Sequence, residues 1–225
     1  MQIYWLSCQP KANMMVSDEE KRWLVFGIAM NKVAVPILRD FVKQGITKQY
    51  TILDTHCRGL NTPCSLKTLT HQQAVINPAL KHLKFQNINN NFHLHGTNKS
   101  LYNYSVDNSV DLAKLYLPGY LAGFSGFDES LDISAILRLL VFDKPTPIFP
   151  SPNPFISIQS LANDVRENVR NKWGHFDVTE WSEVFFSYCF AKLKALVRSL
   201  GLTNGTEITT LDQLTDWETK GMVGS

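Results

Sequence analysis

The sequence predicts an all-α protein, an antiparallel bundle of about four or five core helices with a loop-rich region in its middle. Apolar residues recur every three or four positions in several segments, which is the pattern of helices with one buried face. Sequence signals for helix N-termini precede two of these segments. Hydrophobic residues make up 44% of the 225 residues and charged residues 19%, so one sizeable core can form.

The first helix is predicted to begin at Ser17, which forms a capping box with Glu20. Its apolar stripe consists of Trp23, Phe26, Met30, Val33, Ile37 and Phe41. Pro36 lies inside this stripe and is predicted to kink or divide the helix, because proline has no backbone N–H. Gly45 is a typical C-terminal stop, so we expect the helix to end there.

The middle of the chain contains weaker signals. Residues 67–85 have the pattern of a helix broken by Pro78, and residues 87–100 are polar and rich in turn-forming residues. We predict a surface loop or a short hairpin for the latter segment. A modest helix is predicted within residues 107–121, where it ends near a Pro-Gly pair.

A stronger helix is predicted within residues 125–142, with Asp128 or Ser130 as its N-cap. Residues 143–154 contain five prolines and are predicted to form an extended connection inside one domain. The next helix is predicted to span residues 157–172.

The last of the predicted core helices follows Gly174, which is expected to end the helix before it. A second capping box, formed by Asp177 and Glu180, is predicted to start this helix, and Gly201 is predicted to stop it.

The domain organisation predicted from these segments has three parts. Residues 1–16 form an N-terminal arm, and residues 17–202 form a single helical domain. Residues 203–225 are polar and form a C-terminal tail or linker, with one short helix at most, within 210–220. Such a linker would lead to downstream domains of a larger signalling protein.

Composition narrows the functional classes. The net charge of +2 argues against a protein that grips nucleic acid by bulk electrostatics. Four cysteines without a CxxC pair favour a reducing compartment. No apolar run approaches the roughly 20 residues of a membrane helix, and no secretory signal is visible. We therefore expect a cytoplasmic protein without a membrane partner.

The segment 164–176 concentrates the side chains of greatest chemical interest. Arg170, Asn171 and His175 lie within six residues at the predicted end of a helix. A histidine can transfer a proton near neutral pH, and an arginine can hold a phosphate through two hydrogen bonds. The three residue types therefore suit phosphodiester chemistry.

The spacing of these residues leaves a structural alternative open. Arg170 can pair with Glu167 or Asp164, Asn171 can close the helix end, and His175 can cap its last carbonyls. Arg170 and His175 are also five residues apart, about 140° around an ideal helix. A break at the intervening glycine, or a second copy of the chain across a symmetric dimer, would bring the two groups to one phosphate.

The segment 169–175, VRNKWGH, resembles the R-N-x-x-x-H signature of HEPN domains, in a branch found in an E3 ligase and in many invertebrate immune-type proteins. Residues 127–140 are similar to the family's apolar helix that follows Phe-Asp, and 29–46 resembles its first helix. The proline-rich connection fits as well, so the resemblance covers roughly residues 20–200.

The resemblance implies a HEPN-like bundle that often forms homodimers, with the motifs of two chains lining one cleft. Active members are metal-independent endoribonucleases that cut single-stranded RNA through attack by the 2′-hydroxyl. By motif position, His175 would be the acid and base, Arg170 the phosphate-binding group and Asn171 the polar residue beside it. The branch also includes adaptors and RNA binders, so the resemblance implies an endoribonuclease or a single-stranded RNA binder, in innate-defence or stress signalling. A non-catalytic, self-associating interaction module of a larger signalling protein is the alternative.

Three further residues of the segment are expected to bind RNA: Arg166, Lys172 and Trp173. Aromatic side chains can stack on bases, and Trp173 is expected to be the most exposed of the aromatic residues near the motif.

No cofactor and no metal site are expected. His93 and His95 stand two apart in the polar loop, but no carboxylate or cysteine stands at a matching spacing for zinc. No glycine-rich nucleotide-binding loop is present in the sequence.

Overall fold

The computed structural model describes residues 16–59, 64–94, 98–144, 147–153 and 155–223. Within these ranges all regular structure is helical, with seven helices, several 3₁₀ turns and no strand. The all-α prediction is confirmed, and the number of helices is above the four or five expected. The predicted N-terminal arm, apart from Val16, lies outside the described residues, as does His95.

Helix α1 has three parts: an α-helical Asp18–Ala29, a π-helical Met30–Ala34 and an α-helical Val35–Arg58. The predicted capping box is confirmed, because Glu20 N donates to Ser17 Oγ and Ser17 N donates to Glu20 Oε2. Pro36 does not divide the helix. A wide π-helical turn lies just before it, in which the Val35 N–H donates to Met30 O. This turn lets the helix continue although Pro36 has no backbone N–H to donate.

The prediction that Gly45 ends α1 is wrong, because the helix continues through it to Arg58. A Cβ atom at residue 45 would lie 2.2 Å from a ring carbon of Phe149, so only glycine permits this close approach. Phe149 is buried there and also packs against Phe41, with ring centroids 5.5 Å apart. The glycine therefore reflects helix-to-loop packing.

Three shorter helices follow: α2 (His71–Ile76), α3 (Ser109–Leu115) and α4 (Ile133–Val141). Helix α2 ends ahead of Pro78, in agreement with the predicted break. Asp132 caps α4 by accepting a hydrogen bond from Ala135 N, so the predicted caps Asp128 and Ser130 are wrong. Those two residues instead bond to each other in the preceding turn.

Helix α5 again has three parts: Ile158–Asp164, a π-helical Val165–Arg170 and Asn171–Gly174. Its end at Gly174 agrees with the sequence. Helix α6 (Glu183–Ser199) is capped by Ser182, so the expectation that Asp177 starts it is wrong. Asp177 caps only the 3₁₀ turn Val178–Glu180.

Helix α7 (Asn204–Met222) occupies the segment in which we expected a tail with one short helix. It packs against α1 and α6. Leu214 is fully buried, and Gly221 lies against the ring of Phe186, where a Cβ would be 2.2 Å away. The segment is polar in composition because only a narrow stripe of the helix is buried.

The core lies where α1, α4, α5 and α6 meet. Six of the nine residues of α4 are buried. The largest fully buried side chains include Trp181, Phe26, Phe186 and Phe190. The beginning of α1 lies beside the end of α5, and this junction places the candidate site at one end of the bundle. Among the helices that the structure describes, none has the length and apolar character needed to cross a membrane.

Candidate functional site

The three motif residues lie at the C-terminal end of α5. Arg170 is the last residue of the π-helical turn, Asn171 begins the final α-helical turn, and His175 is the C-cap. The backbone N–H of Asn171 reaches back five residues to Arg166 O. The N–H of His175 donates to Asn171 O at 3.0 Å, so the histidine closes the helix while its side chain is exposed.

The Arg170 side chain extends along this last turn toward His175. Its Nη1 lies 3.4 Å from Asn171 Oδ1. A Cβ atom at residue 174 would lie 3.6 Å from Nη1, so the guanidinium is next to Gly174. Arg170 and Asn171 are therefore in contact, and the guanidinium reaches the residue that precedes His175.

Arg170 has no ion pair among the described residues, although its side chain is half-buried. Its Nε is inaccessible to solvent and has no hydrogen-bond partner. The expected alternative, pairing with Glu167 or Asp164, does not occur. A cation in this position lacks the counter-charge that buried charged groups normally have.

The two carboxylates that were expected as possible partners of Arg170 pair with other residues. Glu167 is the partner of Arg166, in a very short contact, and accepts a hydrogen bond from Asn171 Nδ2 at 3.1 Å. Asp164 pairs with Lys192 of α6 at 2.7 Å.

Asp164 also accepts a hydrogen bond from Asn168 Nδ2 at 2.6 Å and another from the Tyr188 hydroxyl at 3.4 Å. Partial burial raises the pKa of Asp164, but the hydrogen bonds from Lys192, Asn168 and Tyr188 outweigh it and lower the pKa below its ordinary value. The carboxylate is thereby committed to joining α5 to α6.

The two other cations predicted to bind RNA are both paired. Arg166 bonds to Glu167 and to Asn163 Oδ1, and Lys172 bonds to Glu180. The Lys172–Glu180 pair is well exposed, with 50% and 33% of the side-chain surfaces accessible. Exposed pairs of this kind contribute little to stability, so a phosphate can replace the carboxylate at small cost.

Trp173 is half-buried, which differs from its expected exposure. Its ring lies nearly parallel to that of Trp23, at a centroid distance of 6.0 Å, and its indole N–H is buried without an acceptor. Phe176 is the more open aromatic residue, with 46% of its surface exposed, and its ring lies 4.6 Å from that of Trp23.

Trp23 also belongs to this site, although the apolar pattern predicts it only as part of the core stripe of α1. Its Nε1 donates a 2.9 Å hydrogen bond to Trp173 O, one of the carbonyls that the end of α5 leaves without a helical partner. This bond caps the end of α5, the role that the spacing also allowed for His175. No pattern around Trp23 in the sequence points to this bond, because its partner lies 150 positions further along the chain.

The described residues contain no group of three or more His, Cys, Asp or Glu side chains that could hold a metal ion. His93 lies against the neighbouring Phe92 ring, with centroids 3.8 Å apart and the ring planes tilted by 39°. The site therefore offers a guanidinium, an amide, an imidazole and aromatic rings as its chemical groups.

Comparisons of the chain with models of protein families, with curated proteins and with solved structures find no match.

Proposed function

We propose that the chain is a HEPN-like domain that acts on single-stranded RNA as a metal-independent endoribonuclease, in innate-defence or stress signalling. The site residues are Arg170, Asn171 and His175. The resemblance of the motif segment to HEPN domains supplies the reaction, and the environment of the three side chains supports it.

The observation that carries this proposal is the unpaired state of Arg170. A half-buried guanidinium without a carboxylate partner can donate hydrogen bonds to an anion and so forms a binding site for it. The adjacent Asn171 amide holds one edge of the guanidinium, while Gly174 leaves space along the last turn. A phosphodiester at this point would supply the missing counter-charge by accepting hydrogen bonds from the Nη atoms of the guanidinium.

His175 is the group proposed to move protons. Its exposed imidazole follows the turn along which the Arg170 guanidinium lies. As a base it would take the proton of a 2′-hydroxyl, whose oxygen attacks the neighbouring phosphorus. The P–O5′ bond then breaks, the 5′-oxygen takes up a proton, and a cyclic phosphate remains. Arg170 would stabilise the charge on the phosphorane-like transition state.

The test is cleavage of a labelled single-stranded RNA in EDTA by nuclease-free protein, with His175→Ala beside the wild type. We expect the variant to lose activity by about 10²–10⁴-fold, the usual contribution of a general acid or base. His82→Ala is the matched control, because His82 is also exposed but lies in a different part of the fold. Cleavage by His175→Ala at the wild-type rate would exclude catalysis at this site.

Arg170→Lys separates phosphate recognition from proton transfer. Lysine keeps the charge but loses the planar pair of donors, so we expect weaker RNA binding with the fold intact. RNA affinity that is the same in wild type, Arg170→Lys and Arg170→Ala would remove the phosphate site from the proposal.

A second function, a non-catalytic module that self-associates, is favoured by exposed apolar side chains that follow the motif in the chain. Phe176 is 46% exposed, Val178 36% and Val184 80%. Apolar residues that cluster on a surface mark interaction sites. A homodimer formed through this face would bring two copies of the motif together.

Light scattering across a concentration series, with Val184→Glu beside the wild type, tests this second function. A dimer that the substitution dissociates, combined with an inactive wild type, supports the interaction module. A monomer that cleaves RNA refutes it.

A further inference from the structure

A groove of about 280 Å³ lies where the first half of α1 meets the end of α5. The residues that line it are Trp23, Leu24, Gly27, Ile28, Asn31, Lys32 and Trp173. Leu24 is 50% exposed at its rim. The groove is open to solvent and is formed by residues outside the Arg170–Asn171–His175 set.

Two indoles and a glycine shape this groove. The rings of Trp23 and Trp173 are inclined by only 19° to each other. A Cβ atom at residue 27 would lie 2.5 Å from Trp173 Nε1 and 2.8 Å from two further ring atoms, so any larger residue would displace the indole. Gly27 therefore keeps the Trp173 ring flat against α1, with aromatic surface along the groove.

The polar groups of the groove suit an anionic ligand. Lys32 is exposed and has no ion pair among the described residues, and no carboxylate lines the groove. Asn31 Nδ2 donates to Gly27 O at 2.8 Å, and the free amide oxygen can accept a hydrogen bond only from an uncharged N–H or O–H of the ligand, while Lys32 supplies the positive charge. A ligand for these walls has an aromatic ring and carries negative charge.

The groove adjoins the proposed phosphate site. Trp173 lies two residues before His175, Phe176 lies one residue after it, and both rings contact Trp23. Resting on the proposed function, we infer that the groove takes one nucleobase of the RNA strand whose phosphate lies at Arg170. Aromatic walls with few hydrogen-bonding groups predict stacking that tolerates any base.

The test compares two uncleavable probes that carry the same phosphates: a 2′-O-methyl oligoadenylate of about 12 nucleotides and its abasic counterpart. Binding is measured by fluorescence anisotropy for the full chain. We expect the wild type to bind the oligoadenylate at least about fivefold more tightly than the abasic probe, which is the lower end of what one stacked base contributes. The ratio of the two affinities cancels changes in charge.

Trp173→Leu should bring the affinity ratio close to one. Trp217→Leu on α7 is the matched control, because Trp217 is also partly buried and lies outside the groove. Leu24→Glu, at the half-exposed rim, gives a second variant that does not depend on the fold tolerating loss of Trp173, and it should lower the ratio as well.

Three results would overturn the inference. If the wild type bound the oligoadenylate and the abasic probe equally well, the groove would not bind a base, while phosphate binding by the protein would still stand. Failure of the wild type to bind either probe would remove both the groove ligand and the proposed function. An unchanged ratio in Trp173→Leu, together with loss of self-association by light scattering, would assign the groove to a second copy of the chain.

Discussion

Replacement of Leu214 by alanine tests whether α7 belongs to the folded core. Leu214 is fully buried in a helix that packs on both α1 and α6. Its truncation removes buried apolar surface and leaves a cavity that three helices cannot all move to fill. Core substitutions of this kind cost about 2–5 kcal/mol.

The expected size of the effect in a melting experiment follows from the length of the domain. For chains of this size, 1 kcal/mol lowers the melting temperature by about 2–4 °C. Leu214→Ala should therefore lower it by about 4–20 °C, with a matching fall in the urea midpoint at an unchanged slope. Circular dichroism at 222 nm measures both.

The matched control is Ile208→Ala on the same helix, where the side chain is 59% exposed. We expect a change within about 0.5 kcal/mol, since little apolar surface returns to water. Equal and small effects of the two substitutions would refute the packing of α7, and the sequence-based assignment of this segment as a tail would then stand.

Two further predictions concern other contacts of the site region. Gly27→Ala should destabilise the protein. Overpacking against Trp173 costs about 1–3 kcal/mol, which exceeds the gain of about 0.5–1 kcal/mol of alanine over glycine in a helix. Gly123→Ala is the control, because no atom lies within 4 Å of the new Cβ, and equal thermal stability of the two variants would contradict this prediction. The Asp164 contacts with α6 should add up to about 1 kcal/mol of stability above pH 4. Because the pKa of Asp164 is lowered in the folded state, this contribution should shrink below about pH 4 and be lost as the pH falls through the lowered pKa. Urea unfolding of wild type and Asp164→Asn at pH 7 and pH 3 measures the difference, with Asp212→Asn as an exposed control; a difference that is as large at pH 3 as at pH 7 would show that the carboxylate charge is not its source.

The helical nature of the chain and several helix ends could be predicted from local signals. The capping box at Ser17, the break before Pro78 and the stop at Gly201 depend on residues adjacent in sequence. Gly201 has a φ of +65°, the left-handed conformation that glycine adopts freely. Such interactions need no tertiary information.

Features that depend on distant packing could not be predicted. Gly45 has the local character of a helix stop, and only the ring of Phe149, far along the chain, explains why it lies inside a helix. The packing of α7 was missed because its buried stripe is narrow. In each case the deciding contact is between residues that are remote in sequence.

The candidate site shows the same division. The sequence predicts Arg170, Asn171 and His175 as one cluster, and the structure shows the Arg170 and Asn171 side chains in contact. The role of Trp23 as a cap for α5 and the partial burial of Trp173 were not visible, because both arise where two helices meet. The π-helical turn before the motif also leaves no clear pattern in the residues themselves.

The π-helical turn Met30–Ala34 lets α1 hold one residue more than a regular α-helix while the two halves keep nearly the same phase. The turn acts as a structural insertion, because its extra residue widens the backbone and does not rotate one half against the other. Deleting a single residue there should restore an ordinary α-helix, with Trp23 and Gly27 still facing Trp173. Chains that differ in length by one residue at this turn can therefore share the packing of Trp173 on Trp23 and Gly27.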